Sequence, residues 1–360
     1  MKNKPSVRVI AFYLPQYHPI TENNLWWGPG FTEWTNVSKS RPLFRGHLQP
    51  NLPGELGFYD LRLEETRIEQ ARLATQYGIE GFCYWHYWLG NGRRLLEKPF
   101  NDVLSSGKPN YPFCLGWANH PWTGVWFGSD EVLAEQNYPG IEDYEMHFDF
   151  LISAFKDNRY ITVNNKPLFY IYRPKDIPDC KKVLDYWRLL AKQAGLDGLH
   201  FVGENLSIEE LEEYGFDACS YSRHRIIESH YPQNKYARKV YLKAQLLRRK
   251  PKVYDYAKAM TYFIKDSTPH PNEYPSIVPN WDSTPRLGKN GVVLKGSSPE
   301  LFRKHIQEVF SKVKKIDKEN RIVFAKSWNE WAEGNYLEPD RRHKRKYLEV
   351  LKDELTSIKY

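Results

Sequence analysis

The segment Ser327–Gly334 (SWNEWAEG) contains two glutamates, Glu330 and Glu333, which are three positions apart and flanked by tryptophans. Glycoside cleavage uses such a pair of carboxyl groups, one to protonate the leaving oxygen and one to act as base or nucleophile. The neighbouring indole rings lower the local polarity, which raises the pKa of a carboxyl group and favours the role of proton donor. An acidic first turn of a helix would have the same spacing, so the pair alone leaves both interpretations open.

Sequence motifs for other chemistries are absent. There is no G-x-x-x-x-G-K-[ST], G-x-S-x-G or H-E-x-x-H segment. There is also no D-x-D, with which many nucleotide-sugar transferases hold a metal-bound diphosphate. The eleven histidines show no compact metal-ligand spacing, and the four cysteines form no C-x-x-C. We therefore predict neither a metal site nor a cofactor.

Aromatic residues make up 15% of the 360 residues, with 12 Trp and 25 Tyr among them. Trp and Tyr combine an apolar face with a polar edge, which suits the walls of a sugar-binding site. The net charge of +8 would permit an anionic partner but requires none, and we predict no binding to nucleic acid. We interpret the basic stretches Lys239–Lys252 and Arg341–Lys346 as solvated helix faces. The alternative is peripheral contact with a membrane-borne, lipid-linked glycan.

Short apolar runs alternate with longer helical patterns along the chain. Eight strand–helix units in succession predict an α/β fold, a closed (β/α)8 TIM barrel. We expect a single domain over residues 1–360 with enlarged loops after the strands, above all between Pro15 and Asp60. The crossover Lys239–Ile264 is predicted to be helical. The predicted strands are Arg8–Leu14, Gly81–Tyr84, Pro112–Ala118, Leu168–Tyr172, Leu199–Gly203, Ala218–Tyr221, Ser276–Asn280 and Arg321–Ala325.

Polar and aromatic side chains cluster where the predicted strands end, which is the face of a (β/α)8 barrel that forms active sites. Such side chains can stack on sugar rings and hydrogen-bond to sugar hydroxyls. The alternative is that the rings only plug the top of the barrel. On the first interpretation, the expected substrate contacts are Tyr13, Gln16, His18, Trp85, Trp117, Asn119, Glu204, Tyr221, Trp281, Asp282, Arg286 and Trp328.

Several long runs, in order along the chain, resemble the WbsX-type proteins of bacterial surface-polysaccharide gene clusters. Those proteins are themselves similar to glycoside hydrolase family 99. The resemblance covers nearly the whole sequence. The runs are FYLPQYHPITENNLWWGPGFTEWTNV (12–37), GFCYWHYW (81–88), WANHPW (117–122), NKPLFYIYRP (165–174), PNWDSTPR (279–286) and SWNEWAEGNYLEP (327–339).

The resemblance implies a (β/α)8 barrel and an endo-acting, mannosidase-like activity that retains the anomeric configuration. In family 99, one glutamate is proposed to deprotonate the sugar 2-hydroxyl, which attacks the anomeric carbon and forms a 1,2-anhydro sugar. A second glutamate, three positions on, protonates the leaving oxygen and later activates water. The family motif resembles N-E-W-x-E-G, which implies the first role for Glu330 and the second for Glu333.

We therefore predict an enzyme that cleaves, or transfers within, an α-linked bacterial surface polysaccharide. Two alternatives stay open: a glycosyltransferase of O-antigen or capsule biosynthesis that uses an activated sugar, and a non-catalytic glycan-binding barrel. In the transferase, Arg173, Arg223 and Arg286 could hold a phosphate. The first residues lack the apolar core of a secretory signal, and no run of about 18 apolar residues occurs, so a cytoplasmic location is expected. The sequence does not predict an oligomeric state.

Overall fold

Eight parallel strands close into a barrel in the computed structural model, which describes residues 6–232, 234–247, 250–264 and 269–358. Each strand pairs with its neighbours in chain order, and the first pairs with both the second and the last. The (β/α)8 barrel is thus confirmed. Its strands are β1 (Arg8–Tyr13), β2 (Gly81–Trp88), β3 (Phe113–Trp117), β4 (Lys166–Ile171), β5 (His200–Glu204), β6 (Ala218–Tyr221), β7 (Glu273–Ile277) and β8 (Ile322–Ala325).

Helices occupy the connections between the strands. In the helix Pro299–Val313, apolar residues recur every three or four positions, so one face is buried; they are Phe302, Ile306, Val309 and Val313. The described helices are α1 (Thr21–Trp27), α2 (Glu33–Lys39), α3 (Glu64–Gln76), α4 (Lys98–Ser106), α5 (Ile141–Phe155), α6 (Cys180–Gln193), α7 (Glu210–Tyr214), α8 (Ile227–His230), α9 (Lys235–Leu247), α10 (Tyr256–Ala259), α11 (Thr284–Leu287), α12 (Pro299–Val313) and α13 (Lys346–Ser357). Within the described ranges, none of them has the length and apolar character needed to cross a membrane.

Aromatic rings fill the interior of the barrel near the carboxyl ends of its strands. Phe12 of β1 stacks on Trp85 of β2 with ring centroids 4.7 Å apart, and on Phe324 of β8 at 5.1 Å. Tyr170 of β4 meets Phe12 edge-on. Because side chains alternate along a strand, the next residue of β1, Tyr13, points outward to the helices. The aromatic layer therefore forms a floor beneath the ends of the strands.

The structure corrects three sequence predictions about element bounds. Strand β2 continues to Trp88 instead of ending at Tyr84, because its end pairs with Arg94–Leu95 as well as with β3. Strand β7 begins at Glu273 rather than at Ser276. The predicted loop between Pro15 and Asp60 contains two short helices, α1 and α2.

The crossover Lys239–Ile264 is not one helix. Helix α9 covers its first part, and Pro251, which cannot continue a helix, precedes a short strand, Lys252–Asp255. That strand pairs in parallel with Val292–Lys295, outside the barrel. Residues 248 and 249 of this basic stretch lie outside the described ranges.

Candidate active site

A tight hairpin after β8 holds both glutamates of the SWNEWAEG segment. Asn329–Glu330 pairs antiparallel with Asn335–Tyr336, and one 3-10 turn, Trp331–Glu333, connects the two. The side chain of Asn329 ties the hairpin to the end of β1: its Oδ1 accepts from the Leu14 N–H at 2.7 Å, and its Nδ2 donates to the Leu14 carbonyl at 3.0 Å. The hairpin is thus fixed between the first and last strands of the barrel.

Gly334 permits the close approach of this hairpin to the segment after β7. It has a φ of +62°, and a Cβ at this position would lie 2.8 Å from both the backbone nitrogen and the Cβ of Asp282. That backbone nitrogen donates to the Glu333 carbonyl at 2.6 Å. A side chain at position 334 would therefore push apart the two segments that place Glu333 and Arg286.

We predict that Gly334→Ala lowers the free energy of unfolding by about 1–3 kcal/mol and lowers turnover. The matched control is Gly107→Ala at the end of α4, where φ is +72° but nothing lies within 4 Å of the added Cβ. That control carries the backbone strain without the clash, so it should cost only about 1 kcal/mol. Urea unfolding of both variants measures the difference; equal losses would show that the contact with Asp282 is unimportant.

The guanidinium group of Arg286 contacts three carboxylates. Its Nε lies 2.6 Å from Glu33 Oε1, its Nη2 lies 3.0 Å from Glu330 Oε2, and its Nη1 lies 2.7 Å from Glu333 Oε1. The Glu33 side chain is fully buried, whereas 10% of Glu330 and 23% of Glu333 is exposed. One cation thus holds both predicted catalytic carboxyl groups beside each other. The same cation forms a third ion pair with the fully buried Glu33.

Asp282 positions the short helix that carries Arg286. Its carboxylate accepts from the Thr284 backbone N–H at 3.0 Å and from the Thr284 hydroxyl at 2.6 Å, at the start of α11. Gln49 Nε2 donates to the same carboxylate at 2.7 Å, and His47 Nε2 lies 2.8 Å from it. With this many partners, Asp282 fixes backbone and has no carboxylate oxygen left for a substrate.

Burial and mutual repulsion set the protonation of this cluster. Burial raises the pKa of Glu330 to about 7, with the Arg286 guanidinium opposing the shift and the Glu333 carboxylate adding to it. Burial also raises the pKa of Glu33, against the effect of Arg286. Burial alone would lower the pKa of Arg286, but the three carboxylates outweigh it and hold that pKa well above its usual range. Arg286 is therefore a permanent cation, while Glu330 can exchange a proton near neutral pH.

A cavity of about 390 Å³ opens beside the glutamates, at the carboxyl ends of the strands. Its volume lies within the usual range for small-ligand sites. Among the described residues, no group of three or more His, Cys, Asp or Glu is arranged to hold a metal ion. The cavity is lined by Phe12, Leu14, Gln16, Trp27, Trp85, Tyr87, Ala118, His120, Pro121, Trp122, Thr123, Val125, Tyr172, Arg173, Arg286, Lys326, Ser327, Glu330 and Glu333.

Five of the fourteen predicted site residues line this cavity: Gln16, Trp85, Arg286, Glu330 and Glu333. The Gln16 side chain is buried, and its Nε2 has no hydrogen-bond partner among the described residues. The Trp85 ring lies on Phe12 and meets Tyr172 edge-on at 5.8 Å, so it forms part of the aromatic floor. An amide donor and an aromatic floor are therefore available next to the carboxyl pair.

Three predicted contacts face away from the cavity, and for Tyr13 and Trp117 the reason is that side chains alternate along a strand. Tyr13 donates from its hydroxyl to Gln70 Oε1 of α3 at 2.7 Å. Trp117 packs beside Trp187 of α6 and donates to the Trp88 carbonyl at 2.9 Å. Trp328 is fully buried against Phe82. These aromatic residues build the layer between barrel and helices.

Five further predicted contacts also lie outside the cavity lining. His18 is buried, with its Nδ1 within hydrogen-bond distance of the Pro15 carbonyl oxygen. Burial lowers its pKa to about 4, so the ring is neutral. Trp281 packs on His224, Tyr221 borders a separate small cavity, and Asp282 has the positioning contacts described above. Glu204 is buried, with its Oε1 3.9 Å from Lys326 Nζ.

Asn119, the remaining predicted contact, positions the backbone of Arg173. Its Nδ2 donates to the Arg173 carbonyl at 2.8 Å, and its Oδ1 accepts from the Arg173 N–H at 2.8 Å. The side chain is fully buried, so it acts on the cavity through Arg173.

Several residues of this site were not among the predicted substrate contacts. At or shortly after the ends of predicted strands, the cavity is lined by Tyr172, Lys326, His120 and Trp122, so strand position was a usable signal. Arg173, which was predicted only as a phosphate contact of a transferase, lines the cavity too. Glu33 contacts the site only through Arg286, which is 253 positions away along the chain. No sequence spacing marks that contact.

Comparison with known proteins identifies the family. The family model described as "Glycosyltransferase WbsX" matches residues 9–351. Two proteins from strains of Xanthomonas campestris pv. campestris, both called uncharacterized protein WxcX, are each 35% identical and align with 97% of this chain. The alignments cover 49% of each Xanthomonas protein, so the chain spans about half the length of these relatives.

Solved structures share the fold at lower sequence identity. A protein described as glycoside hydrolase-like has a TM-score of 0.59 at 15% identity, covering 99% of this chain and 95% of that one. The GH99 endo-alpha-mannosidase from Bacteroides thetaiotaomicron also has a TM-score of 0.59, at 16% identity, covering 97% of this chain and 96% of its own. These likenesses show the barrel fold. Because the family match covers almost the whole sequence, the chain belongs to the WbsX glycosyltransferase family.

Proposed function

We propose that this chain cleaves, or transfers within, an α-linked bacterial surface polysaccharide, with retention of anomeric configuration. The observation that carries this proposal is the placement of Glu330 and Glu333 together, on one guanidinium, at the wall of an aromatic cavity. A carboxyl pair supplies the acid and base that glycoside cleavage requires. Trp85 offers a ring for sugar stacking, and Gln16 an N–H for a sugar oxygen.

In the proposed reaction, Glu330 takes the proton of the sugar 2-hydroxyl, whose oxygen attacks the anomeric carbon. The bond to the leaving oxygen breaks, and Glu333 gives that oxygen a proton. Glu333 then takes a proton from water or an acceptor hydroxyl, whose oxygen opens the 1,2-anhydro ring, and Glu330 returns its proton to the 2-oxygen. A raised pKa favours proton donation while a carboxyl group is protonated and makes it a stronger base once it is ionised; the proposed role of Glu330 uses the ionised form.

The proposal is tested by incubating the protein with purified α-linked surface polysaccharides and analysing the products by mass spectrometry. New shortened or elongated chains are expected with the wild-type protein. A glycosyltransferase, as the family name suggests, would instead consume a nucleotide sugar or a lipid-linked sugar. A non-catalytic binding barrel would retain glycans and form no product.

The pH dependence of kcat/KM follows from the burial of Glu330. A general base must be ionised, and the raised pKa keeps Glu330 protonated below about pH 7. We predict that kcat/KM falls about tenfold per pH unit below that point. In Glu33→Gln, a neighbouring negative charge is lost, so the acidic limb should move to lower pH. An unchanged limb in that variant would contradict the assignment of the limb to Glu330.

A further inference from the structure

Lys326, which directly follows β8, places an ammonium group at the cavity with little contact to protein acceptors. Only 12% of its side chain is exposed. Its nearest carboxylate oxygen, Glu204 Oε1, lies 3.9 Å from Nζ, which is beyond hydrogen-bond distance. Among the described residues, no hydrogen bond from this ammonium is found, so its three donors are available to the cavity.

The surroundings keep Lys326 charged. Burial alone would lower its pKa, but the negative charge of Glu204, together with Tyr172 and the Glu333 and Glu330 carboxylates, outweighs burial and raises that pKa. The ammonium is stabilised as a charge, but its hydrogen-bond donors lack acceptors, so a ligand that supplies them adds favourable contacts. The floor of the cavity is thus built to receive acceptor atoms.

Arg173 provides a second cation at the cavity, next to the ring of Tyr172. Its guanidinium lies 5.9 Å from the centroid of the Tyr172 ring, and its backbone is fixed on both sides by Asn119. Its Nη1 lies 3.3 Å from Asp176 Oδ2, and 47% of the Arg173 side chain is exposed. Arg173 therefore retains donors that can turn to a ligand in the cavity.

The three cations that line the cavity differ in how many carboxylates they already contact. Arg286, the third lining cation, already holds three carboxylates. Glu330 and Glu333 beside it would repel an anion. Lys326 and Arg173 are therefore the lining cations with donors left for a negatively charged ligand group.

We propose that the glycan bound in this cavity carries an anionic substituent, a carboxylate or a phosphate, seated between Lys326 and Arg173. The inference rests on the proposed function only in that the cavity takes a glycan; it needs no cleavage. It names the substrate class as acidic rather than neutral sugar. Charge-assisted hydrogen bonds from an ammonium and a guanidinium are the strong contacts expected for such a group.

The test measures binding by calorimetry to matched neutral and anionic probes. The probes are the methyl α-glycosides of glucose, galactose and mannose, the corresponding methyl α-uronides, and the three hexose 6-phosphates. We expect at least one anionic probe to bind about tenfold or more tightly than its neutral counterpart. A preference for uronides points to a carboxylate, and a preference for hexose phosphates points to a phosphate group.

Two variants assign the preference to the proposed cations. Arg173→Met and the double variant Lys326→Met/Glu204→Gln should each remove most of the preference; the second leaves no lone buried carboxylate behind. Lys182→Met, at an exposed site on α6, should leave it unchanged. The proposal is overturned if no anionic probe binds, if anionic and neutral probes bind equally, or if the preference survives both variants. Because binding is measured without turnover, these outcomes are independent of whether the protein cleaves glycans.

Discussion

Glu333→Gln is expected to lower kcat on a cleaved polysaccharide by about 100-fold or more while glycan binding stays within about threefold. Glutamine has nearly the same shape as glutamate and can still contact Arg286, but it can neither protonate the leaving oxygen nor activate water. The effect should fall on kcat because the proton transfers occur in the transition state. Product formation by mass spectrometry and glycan affinity by calorimetry give the two quantities separately.

The companion variant Glu330→Gln should lose turnover to a similar degree, because a neutral amide cannot accept the 2-hydroxyl proton. Glu65→Gln, at an exposed position on α3, is the matched control and should keep full activity. Full activity of Glu333→Gln on the true substrate would refute its assigned role. Loss of glycan binding in that variant would point to a binding carboxylate instead.

Replacing Arg286 by methionine is expected to reduce both stability and turnover. The change leaves Glu33 fully buried without its cation and removes the group that holds Glu330 beside Glu333. Breaking a buried ion pair by removing one partner costs about 3–5 kcal/mol. Turnover should drop by about 100-fold or more, because the two carboxyl groups lose their fixed geometry.

A double variant separates the two effects of Arg286. In Arg286→Met/Glu33→Gln no lone buried carboxylate remains at position 33, so urea unfolding should show that part of the lost stability returns. Turnover should stay low, because Glu330 and Glu333 still lack their common partner. Arg62→Met, which removes an exposed pair with Asp60, is the control and should cost within about 1 kcal/mol. A control loss equal to that of Arg286→Met would contradict the buried cluster.

The barrel was predictable because its signals are local. Strands such as β1 and β8 are short apolar runs bounded by polar or helix-forming segments, and eight of them alternate with helical patterns. The position of Glu330 and Glu333 just after the last strand followed from the same alternation. The prediction that Lys239–Ile264 is helical was wrong because it continued the basic helix past Pro251, where the structure has a strand.

The site was harder to predict because its contacts cross the barrel. Strand ends identified Gln16 and Trp85, but the two-residue alternation decides which neighbours face the cavity, and it turned Tyr13 and Trp117 toward the helices. Asp282 was expected to contact sugar because of its residue type, yet it is saturated by partners from distant segments. Residue type and strand position together suggest a site, whereas its electrostatics depend on tertiary contacts.

The central claim is that the carboxyl pair on Arg286 cleaves a glycosidic bond. Its most direct test is digestion of α-linked surface polysaccharides in water enriched in heavy oxygen, with mass spectrometry of the products. The claim predicts shortened chains whose new reducing end carries one heavy oxygen atom, formed by the wild-type protein and not by Glu330→Gln or Glu333→Gln. Shortened chains formed equally by the glutamine variants would contradict it, as would consumption of a nucleotide sugar without any cleavage.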